Sequence, residues 1–183
     1  MKYIFFLISI GLNMSGYAQS IYVSTQSAIS FFAGTTVEDI DATNTKSTSF
    51  MNIETGEVTI SIPNREFHFK QSLMEEHFNE NYMETERFPK SEFKGRLENA
   101  KGVDWKSQSS QTVNVTGVLT IHGVAKERKL LVTIHYKDQR IFAETKFSVP
   151  LADHNIDRPK LLWEKLAENV NVHAIITYEP YRN

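Results

Sequence analysis

The sequence contains no cysteine, and only 5 prolines and 8 glycines occur among its 183 residues. The lack of thiols excludes disulfides, thiol catalysis and cysteine-ligated metals, so the fold must depend on burial and hydrogen bonding. No stretch rich in proline, glycine or serine divides the chain, and there is no internal repeat of solenoid length. These absences indicate a single domain.

An excess of positive charge is also missing. The chain carries 20 basic and 22 acidic residues, which gives a net charge of −2. Nucleic-acid binding requires clustered lysine and arginine, so no nucleic-acid partner is expected.

Long hydrophobic runs are absent except at the N-terminus. Lys2 precedes an apolar stretch over residues 3–12, and Gly16 and Ala18 place small residues before Gln19. This pattern predicts a signal peptide over residues 1–18 and a single exported domain over residues 19–183. The alternative is a membrane anchor, but the run is about half of the roughly 20 residues that span a bilayer.

Alternation of apolar and polar residues is the strongest feature that is present. Three alternating stretches, 113–121, 130–136 and 141–149, follow one another with short polar breaks. An antiparallel meander with one apolar face is the structure that such a pattern predicts. We expect Leu119 to lie opposite Leu130 and Tyr136 to lie opposite Ile141.

Shorter alternating stretches on either side bring the prediction to eight or nine strands. Helical spacing appears only after Ser72, with Glu75 completing a capping box, and again over residues 159–170. Many short strands favour an all-β sandwich or barrel, and about eight strands enclose either packed side chains or one small ligand.

The motifs of common enzymes are missing. The chain has neither HExxH nor GxSxG, and the predicted register places His122 and His135 about 26 Å apart. The inward positions of the meander carry no Asp, Glu or His. We therefore predict no catalytic residue, no metal ligand and no cofactor.

Small residues share one layer of the predicted inner face. Gly117, Val132 and Thr145 would be neighbours across three strands, which would leave a channel between layers of larger side chains. The alternative is a layer that is filled by aromatic rings from elsewhere in the chain, namely Phe31, Phe67, Phe69 and Phe93.

Three ordered segments resemble the YceI-like family. Residues 117–126 (GVLTIHGVAK) are similar to its hairpin pattern Gly-x-Leu-Thr-Ile-x-Gly-Val-Thr-Lys, with Ala125 at the usual threonine. His77-Phe78 followed by Phe88-Pro89 and Phe93 resembles a second segment, and residues 147–156 resemble a third. The resemblance implies a lipocalin-like antiparallel β-barrel of about eight strands with one or two short helices, and an exported, periplasmic protein.

Some members of this family hold a polyisoprenoid or another amphiphile inside the barrel. The resemblance thus implies binding of a long-chain isoprenoid, a quinone or a fatty-acid derivative for transport or storage. A homodimer and a lipid donor or acceptor at the inner membrane are further implied partners. The alternative is a packed barrel that acts as a stress protein or binds a partner, without a lipid. An enzyme that modifies an isoprenoid is the least favoured function. The candidate ligand-binding residues are Phe31, Phe67, Phe69, His77, Tyr82, Gly117, Leu119, Val132, Ile134, Thr145, Phe147 and Ile176, with His77 and Tyr82 at the polar end.

Overall fold

The computed structural model describes residues 20–34, 39–157 and 167–182. The predicted signal peptide and most of the predicted helix over residues 159–170 lie outside the described residues. Within these ranges a short α-helix, α1 (Ser72–His77), continues into a π-helical turn at Phe78–Tyr82. None of the helices there has the length and apolarity needed to cross a bilayer. The strands are β1 (Ile21–Phe32), β2 (Asp41–Asn44), β3 (Thr48–Asn52), β4 (Glu57–Pro63), β5 (Phe67–Phe69), β6 (Lys90–Leu97), β7 (Gln111–Ile121), β8 (Val124–Lys137), β9 (Arg140–Pro150) and β10 (Asn169–Pro180).

Eight of these strands form a closed antiparallel barrel in the order β1-β10-β9-β8-β7-β6-β4-β3, and β3 pairs back with β1. Strand β1 is shared, because Ile21–Val23 pair with β3 whereas residues 29–32 pair with β2. Strand β2 pairs in turn with β5, so these two short strands extend the wall at one end. The all-β barrel prediction is confirmed, and the sandwich alternative is wrong.

The meander has the predicted register between β8 and β9 but not between β7 and β8. Tyr136 lies opposite Ile141 as expected, but Leu119 lies opposite Lys126 instead of Leu130. The reason is a two-residue turn at His122-Gly123, where both residues have positive φ (51° and 73°), as in the tight hairpin turns that match strand twist. The difference is four residues, an even number, so the same side chains still face inward.

One end of the barrel, the closed end, is filled by side chains. Ile134, Ile141, Ile176 and Tyr178 belong to one buried cluster there, and each is no more than 4% exposed. The hydroxyl of Tyr178 lies 2.7 Å from Ser49 Oγ, and burial raises the pKa of Tyr178 to about 12. Buried side chains therefore occupy the interior at this end.

The layer at Gly117, for which the sequence allows either an open channel or aromatic filling, is also filled. Gly117 lies opposite Gly95 on β6, and Arg128, not Val132, is its partner on β8. A Cβ atom on Gly117 would lie 2.8 Å from the ring of Phe93 and 2.5 Å from Gly95 Cα. Of the alternatives open at the sequence level, an aromatic ring therefore occupies this layer, and the ring is that of Phe93.

Candidate functional site

The opposite end of the barrel, the open end, contains a cavity of about 390 Å³. Its walls come from the end of β1, from β4 and β5, and from the parts of β7, β9 and β10 furthest from the closed end. Leu119 and Phe147 line its inner part, and Ile121, Val149 and Val170 lie nearer the rim. Their inward position follows from strand alternation, which repeats every second residue.

Four phenylalanine rings pack together at one side of this cavity. Phe31 comes from β1, Phe67 and Phe69 from β5, and Phe78 from the turn that follows α1. The ring centroids of Phe31 lie 5.2 Å from Phe67, 5.8 Å from Phe69 and 5.6 Å from Phe78. The β1–β2–β5 pairing brings these residues together, since β2 bonds to both neighbours.

The segment Gln71–Met83, here called the lid, covers the cavity. Phe78, Tyr82 and Met83 from this segment line the cavity, and Met83 is buried. The predicted helix is present, but the predicted capping box is wrong, because the N-cap is Gln71 instead of Ser72 and no side-chain capping bond forms. Glu75 Oε2 instead accepts a hydrogen bond of 3.1 Å from the Phe69 amide, which joins the lid to β5.

Few polar groups face the cavity, and the most buried of them already have partners. Asn64 is completely buried, donates to the carbonyl of Phe88 at 2.7 Å and accepts from Ser91 Oγ at 2.9 Å. His77 and Tyr82 are partly buried, and burial raises the pKa of the Tyr82 hydroxyl. No Lys, Arg, Asp or Glu occurs among the described residues that line the cavity. The cavity thus suits an apolar group with at most a neutral polar end.

Seven of the twelve residues predicted from the sequence line this cavity, and five do not. Those that line it are Phe31, Phe67, Phe69, His77, Tyr82, Leu119 and Phe147. The other five lie on inward positions nearer the closed end, outside the cavity wall, and are Gly117, Val132, Ile134, Thr145 and Ile176.

Sequence reasoning missed the lining residues that come from loops and from the lid. Leu73, Met74 and Phe78 line the cavity, and their helical spacing was the available signal. Leu151 and Ile156 follow β9 and line it too, but no strand periodicity reaches them.

A histidine network holds the rim of the cavity. His122 Nε2 lies 3.2 Å from Glu84 Oε1, and its Nδ1 lies 3.2 Å from the carbonyl of His154. His154 is completely buried with Nδ1 3.0 Å from the carbonyl of Val124, and burial lowers its pKa. The network joins the β7–β8 turn to Glu84, the residue that follows the lid, and to the turn after β9. No group of three His, Asp or Glu residues in the described ranges has the arrangement of a metal site.

The fold is shared with solved structures of low sequence identity. A polyisoprenoid-binding domain from Saccharophagus degradans superposes with a TM-score of 0.76 at 14% identity, covering 90% of this chain and 100% of the other. Burkholderia cenocepacia BcnA gives a TM-score of 0.70 at 15% identity, covering 82% and 95% of the two chains. A YCEI protein from Campylobacter jejuni gives 0.56 at 14% identity, covering 73% and 78%.

No curated protein matches the sequence. The profile of the YceI-like domain, however, matches residues 20–178, which include every strand of the barrel up to most of β10. With the closed barrel and the similar solved structures, this match shows that the chain belongs to the YceI-like family.

Proposed function

We propose that this protein binds one amphiphilic lipid of the isoprenoid or fatty-acyl type, with its apolar chain in the cavity at the open end. The observation that carries the proposal is the cavity itself, about 390 Å³ of space with a mainly apolar lining inside a closed barrel. Ligand sites of small molecules typically measure about 300–1,000 Å³ and combine an apolar lining with a few polar groups. The polyisoprenoid-binding domain of Saccharophagus degradans, which has the same fold, supports this ligand class.

Burial of the lipid chain supplies the binding energy. Each methylene removed from water contributes about 0.8 kcal/mol. The four packed phenylalanines and the barrel strands define the shape of the cavity wall. A preformed apolar site of this kind loses little free energy to rearrangement on binding.

The polar end of the lipid would lie at the mouth, near His77 and Tyr82. Both residues line the cavity and belong to the lid. Because the described lining has no charged side chain, a neutral head such as an alcohol, a quinone or an amide fits better than a phosphate. A buried, unpaired charge would cost several kcal/mol.

The proposal includes export and transport but not catalysis. The N-terminal segment predicts a cleaved signal peptide, and therefore a periplasmic protein that moves or stores its lipid there. A homodimer and an inner-membrane lipid donor or acceptor stay predictions.

Native mass spectrometry of the protein purified from its own periplasm tests this function. We expect a stoichiometric extra mass that organic extraction releases as a long-chain amphiphile. A bare protein mass that does not change after incubation with prenols, quinones and fatty amides would contradict the proposal and favour a barrel that binds a partner.

Two tryptophan variants on β10 provide a matched test. Val172 lines the cavity, whereas Ile175 on the same strand is 41% exposed on the outer face. We expect Val172→Trp to occupy the cavity and lower lipid affinity at least tenfold with little loss of stability, and Ile175→Trp to leave affinity unchanged. If Val172→Trp instead destabilises the protein by roughly 1–3 kcal/mol, as overpacking of a filled core does, the cavity is not available to a ligand.

A further inference from the structure

The cavity ends at its inner side next to Phe93, a residue of β6. Leu119 lines the inner part of the cavity, and Phe93 on β6 lies directly opposite Leu119 on β7. Phe93 is 4% exposed and belongs to one core cluster that contains both the cavity residue Leu119 and the closed-end residue Ile134. It therefore stands between the cavity and the packed region of the barrel.

Two glycines allow the ring of Phe93 to take this position. Gly95 and Gly117 face each other on β6 and β7, one step beyond Phe93 toward the closed end. A Cβ atom on either glycine would lie within 2.8 Å of the Phe93 ring, closer than such contacts occur in proteins. The ring thus covers the space that two side chains would otherwise fill, and it ends the cavity at this level.

The length of chain that the cavity accepts follows from its volume. An apolar protein cavity of about 150 Å³ holds one benzene molecule, or about 25 Å³ per carbon. At that ratio the 390 Å³ of this cavity holds about fifteen carbons. A chain of thirty or forty carbons would leave half or more of its length in water.

We propose that Phe93 is a specificity-determining residue that limits the buried portion of the lipid to a chain of about fifteen carbons. This inference rests on the proposed lipid-binding function and adds to it the size class of the ligand. Carbons beyond the limit project from the mouth past the lid and contribute no further binding energy, since they stay in contact with water.

A series of unbranched primary amides from ten to twenty carbons tests this inference, with affinities measured by displacement of a fluorescent apolar probe. For the wild type we expect affinity to rise about fourfold per methylene up to about fifteen carbons and to stay constant beyond that length. For Phe93→Ala we expect the rise to continue for several more carbons, because removal of the ring joins the space beside Gly95 and Gly117 to the cavity. For Phe93→Leu, which frees less volume, we expect a smaller extension in the same direction.

Ile141→Ala is the matched control. Ile141 is 1% exposed at the closed end, and on β9 it lies six residues, or about 20 Å, from Phe147 at the cavity. The control also removes core volume, but its limiting length should equal that of the wild type. Phe93→Leu keeps most of the side-chain volume, so it decides the question if Phe93→Ala does not fold.

The outcomes separate the two proposals. If the wild type binds no amide of any length, the lipid-binding function and the role of Phe93 both fail. If the wild type binds but shows no limit up to twenty carbons, or if folded Phe93 variants keep the wild-type limit, only the role of Phe93 is overturned. A shift of equal size in Ile141→Ala would also overturn it, because general loosening of the core would then explain the effect.

Discussion

His154 shows how the fold determines the chemistry of one residue. In sequence it follows Asp153 in a polar stretch, which predicts only a turn. In the structure it is completely buried, and burial is the main cause that lowers the pKa of its imidazole. Its Nδ1 bonds to the carbonyl of Val124, so the neutral ring supports the β7–β8 hairpin beside the cavity rim.

The low pKa of His154 predicts a loss of stability on mild acidification. The unfolded chain binds a proton near the ordinary histidine pKa of about 6.5, but the folded protein resists protonation until lower pH. The stability that the buried, neutral ring of His154 contributes is therefore fully present above pH 6.5, and it is lost as pH falls through the folded-state pKa. The free energy of unfolding of the wild type, measured by chemical denaturation, should fall as the pH is lowered from 7.5 to 5.5. This range lies above that in which carboxylates titrate.

His154→Gln is the matching variant, since glutamine can still bond to the Val124 carbonyl but does not titrate. We expect it to be less stable than the wild type at pH 7.5 and to lose less stability between pH 7.5 and 5.5. Parallel pH profiles for the two proteins would show that His154 is not the group responsible.

At the scale of elements, the lid is the segment whose role the sequence left open. Its helical spacing predicts an amphipathic segment, but only the packing of Phe78 on Phe31, Phe67 and Phe69 places it over the cavity. Several of its hydrogen bonds are local, such as Asn79 Nδ2 to the carbonyl of Glu75 at 2.9 Å. The contacts that join the lid to the barrel are thus the ring of Phe78, the buried side chain of Met83 and the hydrogen bond from the Phe69 amide to Glu75.

Phe78→Ala should consequently loosen the lid without unfolding the barrel. Phe78 is only partly buried, so we expect a stability loss below the roughly 3–5 kcal/mol of a fully buried phenylalanine. We expect a bound lipid to be released about tenfold faster, which corresponds to a barrier to release that is about 1.4 kcal/mol lower. Stopped-flow measurement of lipid transfer to vesicles gives this rate. The control is Glu76→Ala. Glu76 lies on the same helix but does not line the cavity, so this variant should leave the release rate unchanged. Equal rates in all three proteins would show that the lid does not limit release.

At the scale of the whole molecule, the barrel is divided into a packed half and a hollow half. The closed end has a continuous core, of which Ile134 and Tyr178 are members. The wall of the open end includes β2 and β5, which are only four and three residues long. Local opening is easiest where few buried contacts hold the backbone.

Hydrogen exchange should reveal this division. In the free protein we expect amides of β2, β5 and the lid to exchange faster than the central amides of β8 and β9. A bound lipid should slow exchange at the open end and leave the closed end nearly unchanged, because the ligand contacts only the cavity wall. Uniform protection before and after lipid addition would contradict a hollow half.

The sequence by itself determined which residues face inward. Strand alternation has a period of two, so inward and outward sets survive even the four-residue difference in the β7–β8 register. The tight turn at Lys137–Arg140 and the presence of a helix after Gln71 were also readable, because turn and helix signals act between near neighbours.

Only the tertiary structure decided which region of the interior is hollow. Alternation treats Gly117 and Leu119 alike, although one lies under the ring of Phe93 and the other lines the cavity. That distinction depends on side chains from strands and loops that are far apart in sequence, such as Phe93, Phe78 and Leu151. Packing of such distant groups is a property of three-dimensional volume, which a linear pattern of apolar and polar residues does not encode.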